Sequence, residues 1–205
     1  MKVYIDLGAY VGETLQKAIL VFPDFDRYIG FEPVPKLFRV CQEKLEGNPK
    51  VKMVRAAAST IDKKNEKFYL SIRRNIKSGK KVLGKGSTLL LSKLTGNLDK
   101  KRFIDVKCVD MARYIRDNFK ITDYIVLKID IEGKEYDLLE HLIETGAIDY
   151  VDDLYCEWHV GDKMRQSEVS WNRHKDLIEN LNKLGYNLTG GGHSDEFSKI
   201  QVHSL

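Results

Sequence analysis

The chain has 205 residues, of which 42% are apolar and 31% charged, with four prolines and fifteen glycines. That length suits one domain burying about 70% of the surface its unfolded chain would expose, and the composition excludes a disordered chain, a fibrous repeat and a pair of full catalytic domains. Net charge is +4, but Arg73 to Lys107 holds eleven basic and two acidic residues, a local balance of +9, so the rest of the chain sums to −5.

The apolar pattern changes period repeatedly along the chain. Val3, Ile5 and Leu7 predict a first strand, and Leu15, Ala18, Ile19 and Phe22 the buried stripe of a helix. Tyr28 to Phe31 reads as a second strand. Pro35 suits the first turn of a helix carrying Leu37, Val40, Cys41 and Leu45 and ending at Gly47-Asn48-Pro49. Val51 to Ala57 predicts a third strand, and Lys67 to Ile72 and Phe103 to Val109 two more, with the basic stretch between them expected as a mobile insertion at about 73–107. Asp110 is placed to cap a helix reaching Asn118. Tyr124 to Ile129 is a nearly continuous apolar strand, of the kind buried on both faces of a parallel sheet. A helix beginning near Glu135 carries Leu138, Leu139, Leu142 and Ile143 and stops at Gly146. Leu154 to Trp158 is a further strand, and a last helix with Leu177, Ile178, Leu181 and Leu184 ends at Gly185. Tyr186 to Thr189 and Ser198 to Val202 are expected to close the sheet as an antiparallel pair. The alternation of strand and helix implies a single-domain, doubly wound, Rossmann-like α/β fold over 1–205, mostly parallel with that antiparallel C-terminal strand.

No apolar run approaches the roughly 20 residues of a membrane helix, and no leader pattern is visible, so a cytoplasmic protein without a membrane span is expected. Cys41, Cys108 and Cys156 are an odd number with no CxxC spacing, which disfavours a disulfide framework and a zinc cluster. Oligomeric state is not legible.

In such folds ligands bind beyond the carboxyl ends of the strands. The first strand runs into Asp6-Leu7-Gly8-Ala9-Tyr10-Val11-Gly12-Glu13-Thr14. The spacing is GxxxG rather than the GxGxxG of dinucleotide sites, and Asp6 and Glu13 flank it, so a pyrophosphate would meet repulsion there. That argues against an NAD-dependent oxidoreductase. A ligand with ammonium and sulfonium centres, such as S-adenosylmethionine, would be attracted, with its carboxylate facing the helix N-terminus. Glu32 closes the second strand, where a carboxylate can accept both hydroxyls of an unphosphorylated ribose. A GxxxG turn alone serves packing equally well; three carboxylates at strand ends make it a binding site.

The segments IDLGAYVGET (5–14), FEPVP (31–35), KIDIEGKEYDLLEHL (128–142) and DLYCEWH (153–159) resemble, in order, those of the FkbM family of S-adenosylmethionine-dependent methyltransferases. The resemblance spans about Val3 to Val202 and implies O-methyl transfer to a hydroxyl of a sugar or glycan. It places Asp6, Gly8, Ala9, Tyr10, Gly12, Glu13 and Thr14 around the methionine part, Glu32 and Pro33 at the ribose, and Ala57 and Ser59 at the adenine edge, with Asp130 also bordering the cofactor.

Lys128, Asp130 and Glu132 alternate along the fourth strand and its exit, and so do Tyr155, Glu157 and His159 on the next. Asp130, Glu157 and His159 are therefore expected to converge as the catalytic group. His159 is the preferred base, since an ordinary imidazole titrates near neutrality, and Asp130 is its rival. The same three side chains offer ligand types for a divalent cation, although no tight spacing such as HExxH supports one. Glu132, Ser87, Thr88 and Trp158 are the candidate acceptor-binding residues, the last by stacking on a sugar face. The basic stretch reads as a solvated loop, as a lid over an anionic acceptor, or as a surface for RNA in a 2′-O-methyltransferase. Its few aromatics weigh against the nucleic acid.

Overall fold

A computed structural model describes residues 1–74, 81–83, 86–93, 98–159 and 170–188. The elements in chain order are β1 (Lys2–Leu7), α1 (Glu13–Val21), β2 (Arg27–Phe31), α2 (Pro35–Leu45), β3 (Val51–Val54), β4 (Ala57–Ser59), β5 (Lys63–Arg74), β6 (Lys81–Leu83), β7 (Leu98–Asp110), α3 (Met111–Asn118), β8 (Tyr124–Ile129), α4 (Glu135–Glu144), a 3-10 turn (Ala147–Tyr150), β9 (Asp153–Cys156) and α5 (Trp171–Lys183).

Five strands form one sheet in the order β3-β2-β1-β8-β9, every pair parallel. Strand alternation divides its side chains between two helical layers. Val3, Ile5 and Leu7 of β1 join Ile125, Leu127 and Ile129 of β8 in the core beneath α3, α4 and α5. Tyr4 and Val126 point the other way, into a core shared with Leu15 and Ala18 of α1 and Cys41 and Leu45 of α2. Asp6 and Lys128, partners in the β1/β8 register, follow Tyr4 and Val126 in this alternation, so two charged residues enter a buried face. The chain leaves β1 toward β2 on one side and has β8 on the other, which opens a crevice beyond Leu7 and Ile129.

A second sheet has the order β4-β7-β5-β6, with β4 parallel to β7 and β5 antiparallel to both β7 and β6. Phe68, Val106 and Cys108 on its inner face pack on Val34 and Leu37 at the start of α2, together with Tyr10 and Val11 of the first turn. Three expectations change here. The single third strand is split at Arg55-Ala56, where the chain passes from one sheet to the other. The basic stretch, where described, is built into the second sheet: β6 pairs with β5, and Thr88 bridges Tyr69. Tyr186–Leu188 is not a strand; the Leu188 N–H and carbonyl bond the Asn182 side chain and the Tyr186 hydroxyl donates to Val151 O at 2.6 Å, while residues 189–205 lie outside the described part. No helix among the described residues is long and apolar enough to cross a membrane.

Asp110 caps α3 as its sequence position implies, accepting from the N–H groups of Ala112 (2.9 Å) and Arg113 (3.2 Å). Asp110→Ala should lower unfolding stability by about 1 kcal/mol, measured by chemical denaturation.

Candidate active site

The turn after β1 closes against both neighbouring strands. The N–H groups of Gly8 and Ala9 donate to Phe31 O at 3.1 and 3.0 Å. Gly8 has φ +94°, and a Cβ there would stand 2.0 Å from the carbonyl oxygen of Asp130, so this position admits only glycine. Tyr10 adopts φ +50° although it is not glycine. Three bonds hold it there: its N–H donates to Glu32 Oε2 (3.0 Å), its carbonyl accepts from Cys41 Sγ (3.1 Å), and its hydroxyl donates to Leu83 O at the end of β6 (3.2 Å). The turn after β1 is thereby tied to the second sheet.

Glu32 is 5% exposed. Its other oxygen accepts from the Val34 N–H at 2.8 Å, so each carboxylate oxygen has one backbone donor and keeps a lone pair for a ligand hydroxyl. Burial pushes its pKa up to about 7; the two backbone bonds and Lys128 only partly offset burial and the nearby Asp6. Asp6, fully buried, accepts from the Thr14 hydroxyl and lies 3.0 Å from Lys128 Nζ, which is also 3.4 Å from Asp130 Oδ2. Burial alone would lower the Lys128 pKa, but the two aspartates outweigh it and hold the ammonium above the ordinary lysine range.

On the far side of Asp130 stands a second buried group of charges. His159 is 5% exposed. Its Nδ1 is 3.0 Å from Glu135 Oε1, and its Nε2 is 3.2 Å from Glu132 Oε2 and 3.7 Å from Glu157 Oε1. Burial would favour the neutral ring, yet Glu135 and Glu132 overcome it and raise the pKa well above the ordinary histidine value. Glu132 responds in the opposite sense: burial opposes its ionisation, but His159 and Lys93 pull it down to about 2. Glu135, fully buried at the start of α4, also accepts from the Ile131 N–H (2.9 Å) and the Gly133 N–H (2.8 Å) and so shapes the turn that carries Glu132.

Asp6, Gly8, Ala9, Tyr10, Gly12, Thr14 and Glu32 are brought together around the first turn, with Pro33 buried beside Glu32 and Glu13 exposed in the first turn of α1. Asp130, Glu132, Glu157 and His159 gather at the ends of β8 and β9, where the Glu157 N–H bonds Ile129 O at 2.9 Å. Ala57 and Ser59 stand on β4, in the second sheet. Four expectations are corrected by what the side chains touch. His159 turns Nδ1 to Glu135 and Nε2 to Glu132, so both ring nitrogens are engaged by carboxylates and neither is turned to an acceptor hydroxyl as a base. Trp158 is fully buried against Tyr136 and His174 and offers no face to a sugar. The Thr88 hydroxyl donates to Glu132 O (2.9 Å), and the Ser87 hydroxyl accepts from the Ser71 N–H (2.9 Å), so both bind the protein itself.

Two residues of this site had no role in the sequence reading. Glu135 had a signal, an acidic residue two positions after Gly133 in the first helical turn, where a carboxylate reaches preceding amides. Lys93 had a fainter one, a lone basic residue in the apolar run Leu89 to Leu94.

For a divalent cation, the groups whose ligand atoms lie within 4.8 Å of one another are Asp130, Glu135 and His159, with Glu135 in the place expected for Glu157. Oxygen and imidazole donors suit such an ion chemically. Here, however, Glu135 is engaged by two amides and the His159 ring, and the other His159 nitrogen faces Glu132, so a cation would have to displace these partners. The residues as they stand are therefore a poor fit to a resident cation.

A family model described as the methyltransferase FkbM domain matches residues 6–188. Among solved structures, the methyltransferase FkbM from Methylobacillus flagellatus KT is similar at 18% identity and a TM-score of 0.40, over 72% of this chain and 31% of that one. The chain thus spans less than a third of that relative's length. None of the curated proteins matches.

The raised Glu32 value has a consequence for stability. Between the ordinary carboxyl value and about 7 the unfolded chain releases a proton that the folded chain retains. Stability at this residue is therefore full at acid pH and falls as pH rises through that window. Denaturant unfolding of Glu32→Gln across the same window should show this downward slope removed, whatever the overall cost of the substitution.

Proposed function

The chain belongs to the FkbM methyltransferase family, and on that premise we propose that it is an S-adenosylmethionine-dependent O-methyltransferase acting on a hydroxyl of a sugar or glycan. The observation that carries the reading is Glu32: a buried carboxylate at the end of β2, fixed by the Tyr10 and Val34 amides beside the glycine turn, with a lone pair left on each oxygen. That donor set fits the two hydroxyls of an unphosphorylated ribose. Gly8 and Gly12, both with positive φ, and the acidic surroundings of Asp6 and Glu13 fit the methionine end.

When bound, this cofactor supplies an electrophilic methyl group on a sulfonium centre. The protein's part is to orient the acceptor hydroxyl for in-line attack and to receive its proton. Asp130 is the group suited to that proton. It sits at the crevice between the two charge clusters, its side chain is 27% exposed, and Lys128 engages Oδ2 at 3.4 Å. His159, its pKa raised by Glu135 and Glu132, orients Glu132 and Glu157 at the acceptor side of the crevice. The sugar class is the expectation that the family resemblance carries, and it is supported by a site whose carboxylates outnumber its cations, which disfavours a strongly anionic acceptor.

Calorimetry with S-adenosylmethionine and its demethylated product should show binding that weakens at least about tenfold, or roughly 1.4 kcal/mol, in Glu32→Ala. Tight binding of NAD with neither of these would overturn the cofactor assignment. Asp130→Asn should keep cofactor affinity and lose transfer of labelled methyl in a screen across free sugars, oligosaccharides, nucleotide sugars and capped RNA. Turnover confined to capped RNA would replace the sugar with a nucleic acid.

A further inference from the structure

The segment from Gly86 to Lys93 lies in the stretch that carries the chain's positive excess, yet its lysine turns inward. Lys93 is 2% exposed. Its Nζ donates to Gly86 O at 3.1 Å and to Glu132 Oε2. Gly86 has φ +100°, and a Cβ there would stand 3.4 Å from Lys93 Nζ and 3.7 Å from both Glu132 carboxylate oxygens, so the backbone itself is laid against the ion pair. Thr88 secures the segment: its N–H and carbonyl exchange bonds with Tyr69 at 3.0 and 2.8 Å, and its hydroxyl donates to Glu132 O and accepts from the Leu90 N–H at 3.0 Å. Glu132 is therefore gripped at both its carbonyl and its carboxylate by one loop of the second sheet.

Glu132 needs such a grip. Its φ of +59° is left-handed, which a side chain with a Cβ adopts only when its surroundings hold it there. The oxygen that takes Lys93 is the same one that lies 3.2 Å from His159 Nε2. A buried ammonium whose carboxylate is withdrawn is strongly unfavourable, so the pair restrains both partners.

We infer that Lys93 is a positioning residue: it enters from the second sheet, holds Glu132 in its left-handed turn, and through Glu132 fixes the outer nitrogen of His159 at the acceptor side of the crevice. What the positioned groups serve rests on the methyltransferase reading; the latch does not. Lys93 thus acts inside the site, and the basic charge it brings is spent on Glu132 rather than offered to an anionic partner.

The test is the ring-proton spectrum of His159 in the full, nitrogen-15-labelled chain. In the wild type, two slowly exchanging ring protons are expected, Nδ1–H on Glu135 and Nε2–H on Glu132. Lys93→Met should lose the Nε2–H signal by exchange with water while Nδ1–H persists, with calorimetric affinity for S-adenosylmethionine unchanged. Retention of both signals overturns the inference, and so does loss of both in a folded chain, because the effect would then not pass through Glu132. If Lys93→Met does not fold, Thr88→Val decides: it removes the hydroxyl's bonds to Glu132 O and the Leu90 N–H, and loss of the Glu132 bond should speed Nε2–H exchange at least about fivefold; an unchanged rate overturns the proposal. A wild type that binds no S-adenosylmethionine would end the methyltransferase reading and leave the ring-proton result standing.

Discussion

The crevice depends on one buried ammonium. The β1/β8 register sets Lys128 opposite Asp6, and the pleat turns both into the layer beneath α1 and α2. Neither charge would be tolerated there alone, since a buried ion without a partner costs several kcal/mol. Together, with Asp130 on the other side of Lys128, they allow carboxylates at adjacent strand ends without mutual expulsion. Asp6 then anchors Thr14 of α1 and adds its field to Glu32, so the glycine turn and the ends of β8 and β9 are electrostatically joined through Lys128.

A second ionic chain lies beyond Asp130 and is organised differently. Lys93, Glu132, His159 and Glu135 alternate in sign, and Glu135 also binds the amides of the turn that presents Glu132. Alternation lets each charge offset the desolvation of its neighbour, which is why the histidine's pKa is raised although burial opposes it. The two chains meet the second sheet at different places, through Tyr10 and Leu83 beside the glycine turn and through Thr88 and Lys93 beside Glu132. That sheet is therefore a structural cover bonded to both halves of the crevice, and a charge count along the sequence misses this because it cannot say which way a lysine points.

Much of the frame was legible because it is local. Apolar alternation located β1, β2 and β8, Pro35 opened α2, and Asp110 capped α3, each set by neighbours a few residues away. The glycine turn and Glu32 were readable for the same reason, since positive φ and strand-end placement are short-range properties. Where long-range pairing intervened, the reading slipped. The strand expected through Ala57 divides because β4 finds its partner in β7, about fifty residues later. The basic stretch loses its independent character because β5 has edges for β6 and Thr88 to join.

The alternating α/β order, the acidic glycine turn and the strand-end carboxylates can be read from the chain alone, since periodicity, backbone freedom and charge type are written residue by residue. Only the tertiary structure decided what those charges are. A histidine expected to stand free as a base is instead bracketed by carboxylates, because Glu132 and Glu135 converge on its two nitrogens. A tryptophan expected to face a ligand is core because Tyr136 and His174 close over it. A lysine from the most basic stretch of the chain is an internal counter-ion because Glu132 lies within its reach. Ionisation and exposure depend on groups distant in sequence and brought within a few ångströms, and that distance is set only when the sheets pack.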